Sequence, residues 1–70
     1  MLEQKEMDAR FTYHAPKGSQ PQRYESIRAK AKEFAEFIDG LTPSSREQSL
    51  ALTKIEEAVF WANAAIARRE

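Results

Sequence analysis

Apolar residues recur through the middle of the chain with the period of a helix. Tyr24, Ile27, Ala31, Phe34, Ile38 and Leu41 follow one another at steps of three and four, which places them on one helical face. Leu52, Ile55, Val59, Ala62 and Ile66 repeat the pattern. The first helix is predicted to start near residue 20, where Ser19 and Gln22 have capping-box spacing and Pro21 suits the first turn. Gly40 is the expected C-cap, since glycine takes the left-handed conformation without steric cost. Thr42-Pro43 prevents continuation. Ser44-Ser45-Arg46-Glu47 reads as the capping box of the second helix, with Glu47 at the reciprocal position. A connection of about four residues forces the helices to be antiparallel neighbours. The predicted fold is all-α, an antiparallel helical hairpin over residues 19–70.

Residues 1–18 carry no such stripe. Glu3, Lys5, Glu6, Asp8 and Arg10 alternate in sign, and Phe11-Thr12-Tyr13-His14 is a short β-prone run cut off by Pro16 and Gly18. This segment is predicted to be an extended N-terminal arm. Its two aromatics and single histidine call for an explanation.

The second helix has more apolar surface than one partner can cover. Ala51, Ala58, Trp61 and Ala65 lie off the main stripe, Phe60 and Ala64 widen it, and Phe37 does the same on the first helix. A helix apolar nearly all round is buried on several sides. Length sharpens the point. The chain has 70 residues and no cysteine, and chains below about 70–80 residues need a staple or a partner. With disulfides absent and one histidine available for zinc, self-association is the expected remedy. Asn63, within this apolar stretch, is expected to find a hydrogen bond across such an interface or to a ligand.

Eleven basic and eleven acidic side chains give a formal charge of zero, which argues against a general DNA or membrane binder. No apolar run approaches a membrane span, and the first residues do not resemble a signal peptide. The neutrality is uneven. Arg23 to Lys32 holds four basic residues against one acidic, and Glu33 to Glu57 six acidic against two basic. Catalysis has little to stand on: Glu56 and Glu57 are adjacent and point about 100° apart on a helix, there is no thiol nucleophile, and two glycines make no phosphate loop. No metal and no cofactor is expected.

Anion binding is better supported. Arg28 and Lys32 are four apart on one helical face, and Lys30 projects elsewhere. Tyr13 and His14 are flat, hydrogen-bonding side chains just before the helix that carries Arg28. An aromatic that stacks on a base and an arginine that forks onto phosphate are common parts of a nucleotide pocket. A solvated basic face and an arm-packing staple are the plainer readings of the same residues. Arg68 and Arg69 end the second helix, where cations complement the helix dipole.

The runs Tyr13-His14-Ala15-Pro16, Tyr24-Glu25-Ser26-Ile27-Arg28, Phe37-Ile38-Asp39, Pro43-Ser44-Ser45-Arg46-Glu47 and Leu52 to Arg68 resemble the helical-hairpin domain of phage anti-CBASS and anti-Thoeris nucleotide sponges, over about residues 11 to 69. The resemblance implies a non-enzymatic protein that sequesters cyclic oligonucleotide alarm signals in the cytoplasm of an infected bacterium, encoded by a phage or prophage. It implies a homo-oligomer, a hexamer of hairpins with pockets between protomers, and as ligands cyclic dinucleotides such as cyclic GMP-AMP, with cyclic trinucleotides in a separate pocket. Carried onto this chain, Tyr13 matches the base-stacking aromatic and Arg28 the phosphate-holding residue, with His14 and Lys32 beside them. Lys30, Arg68 and Arg69 are the residues available for a second pocket. Two other readings stay open on the residues alone: a helical protein–protein interaction module using Phe60-Trp61, and a small nucleic-acid-binding regulator using the strip from Arg23 to Lys32.

Overall fold

A computed structural model describes residues 1–70 as three helices without strands: α1 (Gln4–Phe11), α2 (Gln20–Leu41) and α3 (Arg46–Arg69). The two predicted helices are α2 and α3, joined by four residues. They are antiparallel. The start of α2 reaches the end of α3 through Gln20 Nε2, which donates to Ile66 O at 3.4 Å and to Glu70 Oε1 at 3.1 Å. The start of α3 reaches the end of α2 through Gln48 Nε2, which donates to the Asp39 and Thr42 carbonyls at 3.3 and 3.0 Å.

Three local expectations shift. The expected extended arm is helical over Gln4–Phe11 and extended only after it, from Thr12. Its helix comes from polar pairs rather than an apolar stripe: Gln4 donates to Asp8 and Arg10 to Glu6, each four positions apart. Gly40 does not cap α2. It lies within the helix, and the end is set by Thr42, whose Oγ1 donates back to Ile38 O at 2.7 Å while its backbone turns extended ahead of Pro43. The cap of α3 falls one residue later than expected. Ser45 Oγ accepts from Gln48 N at 3.1 Å, so Gln48, not Glu47, is the third residue of the helix. At Gly18 the backbone is left-handed, φ 56°, the one turn position here that requires glycine.

The seam follows the apolar stripe: Ile27, Ala31 and Ile38 of α2 and Leu52, Ile55, Val59, Ala62 and Ile66 of α3 are half-buried. None is fully buried. The one buried residue is Gln20, 4% exposed, at the crossing of the arm, α2 and the end of α3. The molecule is a slab of 46 × 32 × 13 Å, about one helix thick. Its accessible surface is 5760 Å², about 1,300 Å² more than a compact monomer of this mass exposes. Phe34, Phe37, Leu41, Phe60 and Trp61 contribute to it. No helix is long and apolar enough to cross a membrane.

Candidate functional site

The seam between α2 and α3 has a groove along each flank. Helical geometry divides their lining residues: on α2, positions 28, 32 and 35 fall to one side of Ala31, and 27, 30 and 34 to the other. The first groove, about 310 Å³, has Arg28 and Lys32 on the α2 wall, Glu56 and Phe60 on the α3 wall, and Ile55 and Val59 at its base. The second, about 570 Å³, is apolar between Phe34 and Ala58, with Lys30 and Lys54 at its margins. Arg28 and Lys32 thus share a groove, as their spacing predicted, and Lys30 faces the other. Neither Arg28 nor Lys32 is engaged in an ion pair, whereas Lys30 contacts Glu33 at 3.5 Å. Phe60 is 63% exposed beside the free pair.

The other residues singled out in the sequence lie elsewhere in the single chain. Tyr13 is 86% exposed. His14 is half-buried, and its Nε2 donates to the Ala9 carbonyl at 2.8 Å, closing the arm back onto the last turn of α1. The His14 side lines a 260 Å³ cleft with Lys17, Arg68 and Glu70. Arg68 and Arg69 border a further cleft of about 360 Å³ with Arg10 and Trp61, floored by Ala64 and Ala65. One chain therefore presents two separate basic places, one at the middle of the hairpin and one at its open end. The Asn63 Oδ1 atom is screened from solvent and accepts no hydrogen bond within the chain.

Two carboxylates that sequence reasoning passed over organise the open end. Glu70 receives both Arg23 Nη1, at 2.8 Å, and Arg23 Nη2, together with Gln20. Hydrogen bonding from Arg23, then from Gln20, holds its carboxyl down at about 2. Glu6 receives both terminal nitrogens of Arg69 at 2.7 and 2.9 Å and Arg10 Nε at 2.7 Å. Those bonds, from Arg69 first and Arg10 second, lower it to about 2 as well. The same contacts raise Arg23 and Arg69 above the ordinary arginine value. Partners 47 and 63 positions apart leave no local signal, so only the Glu6–Arg10 half of these clusters was legible in the chain.

What the arrangement defines is a small α-helical hairpin with unpaired cations on one seam groove and none of its large apolar side chains enclosed. The family model for the Acb2/Tad1 hairpin domain matches residues 3–67, and the chain belongs to that family, the anti-CBASS and anti-Thoeris sponges. Membership gives it an anti-defence, cyclic-nucleotide-binding role as a binding protein rather than an enzyme. Comparison with curated proteins and with solved structures found no match.

Proposed function

We propose that this protein is a stoichiometric sponge for the cyclic oligonucleotide messengers of bacterial CBASS immunity, acting in the cytoplasm of the infected cell as a homo-oligomer, a hexamer of hairpins. The observation that carries the ligand is the unpaired Arg28–Lys32 couple beside exposed Phe60. Two free cations on a partly apolar wall suit a phosphodiester joined to a flat base, and a guanidinium offers the phosphate two parallel donors. Tyr13, exposed and far from saturated, supplies the base-stacking surface from a neighbouring protomer, with His14 behind it. A cyclic dinucleotide is two-fold symmetric and fits an interface to which each copy gives one Tyr13 and one Arg28. Arg68 and Arg69 at the open end, with Lys30 from another copy, serve a second pocket for cyclic trinucleotides.

Assembly is supported by area. The surplus of about 1,300 Å² exceeds the roughly 800 Å² per partner of a standard interface.

Calorimetry with cyclic GMP-AMP tests the reading. The unaltered protein binds it, Arg28→Ala binds about 10- to 100-fold more weakly, and Tyr13→Ala loses affinity for purine-containing rings. All three sediment alike. In a thermal-shift panel, a hundredfold excess over Kd adds about 2.7 kcal/mol. Unchanged affinity in Arg28→Ala removes that groove from the site. Salt-sensitive binding of duplex DNA without a response to cyclic nucleotides replaces the sponge with a nucleic-acid binder.

A further inference from the structure

Glu6 is held by two guanidinium groups at the open end of the hairpin. Arg69 grips its carboxylate with a bidentate fork and Arg10 adds a third donor, all at 2.7–2.9 Å. Guanidinium groups hold carboxylate and phosphate oxygens by the same geometry. Space surrounds this contact on both sides. The 360 Å³ cleft brings Arg10, Arg68 and Arg69 to the exposed indole of Trp61. A second cleft of about 400 Å³ places Lys5 beside Arg68 and Arg69. Arg68 borders both clefts and is engaged in no ion pair. Lys5, Arg10, Arg68 and Arg69 face Glu3 and Glu6, so the locale stays basic with Glu6 bound, and Arg68 and Arg69 remain on α3 without a carboxylate from α1 when that helix leaves.

The element that carries Glu6 is lightly attached. α1 has eight residues, none of them buried, a length too short to hold as an isolated helix in water. The two bonds from Arg69 to Glu6 are the only side-chain hydrogen bonds between α1 and α3. Residues 12–19 tether it to the hairpin without helical structure.

The geometry points to Glu6 as an internal stand-in for phosphate and to α1 as a displaceable lid: a ligand phosphate takes the place of Glu6 on Arg69, and α1, carrying Glu6 and Arg10 with it, swings off α3. This deepens the reading above, on which it rests for the assignment of Arg68 and Arg69 to a ligand pocket. Its new content is a built-in competitor. An anion that offers a single weak charge does not dislodge a bidentate carboxylate, whereas a ligand with several phosphates does, so Glu6 sets a threshold for what is retained. Affinity for such a ligand is reduced by the fraction of molecules in which the lid is closed.

The test uses inorganic tripolyphosphate as probe, with calorimetry and amide hydrogen exchange on the full chain. Glu6→Gln removes the competing charge and keeps the shape, and it binds the probe at least about tenfold more tightly than the unaltered protein. In the unaltered protein, the probe accelerates exchange across residues 4–11. Arg69→Gln opens α1 without any ligand and weakens probe binding at the same time, which separates loss of the lid from loss of the site. Equal affinity in Glu6→Gln and the unaltered protein overturns the proposal, as does absence of binding to both. Probe binding that leaves exchange over 4–11 unchanged overturns the lid. Displacement of the probe by cyclic triadenylate identifies a cyclic nucleotide phosphodiester as the source of the phosphate, and failure to displace it overturns that source in favour of free polyphosphate. Cyclic GMP-AMP titrated into the same samples reports on the Arg28 groove. Its failure there sinks the dinucleotide reading and leaves the lid standing.

Discussion

α2 and α3 meet through methyl groups and branched side chains, and α1 meets α3 through one carboxylate and one guanidinium. The first seam is continuous over the paired lengths of two helices of 22 and 24 residues. The second is a single ionic contact on a helix of eight. The two respond to different perturbations. Apolar burial carries no charge for salt to screen or pH to titrate, and it fails when a side chain loses its fit. A partly exposed ion pair contributes little to stability and weakens as salt rises. The hairpin is therefore the scaffold, and α1 is the part free to move at small cost.

The largest effect is expected where a charge enters the apolar seam. Val59→Asp places a carboxylate against Ile55 and Ala31 without a partner, at a cost on the order of 3 kcal/mol. The melting temperature falls by about 12–24 °C. A Tm within a few degrees of the parent shows that the seam is not the scaffold. A smaller change follows from Ser45→Ala, which deletes the acceptor for Gln48 N and costs about 1 kcal/mol. Circular dichroism then records a Tm lower by about 4–8 °C with helix content at 20 °C unchanged.

The smallest effect is confined to the open end. Glu6 and Glu70 are both held at about 2, below the ordinary value near 4.5, so their ionised forms favour the folded arrangement. Their contribution is fully present above about pH 4.5 and is lost as pH falls towards 2. Backbone NMR signals of residues 4–11 shift towards coil positions in that window, ahead of those of α2 and α3. Coincident loss of all three helices contradicts the division into scaffold and lightly held part.

The same division decides how much was legible in the chain. α2 and α3 were visible because packing acts through a repeated stripe, and repetition over five or six positions survives local exceptions such as exposed Phe34. Their ends were less visible. Ser44 and Ser45 are both competent caps, and only the geometry of the turn selects Ser45. Gly40 has the right chemistry to end a helix, yet the restriction that Pro43 places on Thr42 acts first. α1 escaped because no stripe marks it, although the Gln4–Asp8 and Glu6–Arg10 spacings did. At the candidate site, Arg28 and Lys32 were linked by their four-residue interval and do share a groove, with Lys30 on the opposite flank. The Glu6–Arg69 and Glu70–Arg23 clusters join distant parts of the chain. Gln20 is hidden from water by a crossing of three segments, which no window of neighbouring residues describes.

The thinness of the molecule has a consequence for the cell. A slab 13 Å deep has no interior to shelter grease, so under the proposed assembly each newly synthesised copy stays open to proteases and chaperones until it meets its siblings. On that proposal, the yield of the finished particle rises more steeply than the number of copies made while copies are scarce. The proposed sponge then takes up its ligand weakly until enough copies have gathered, and readily afterwards.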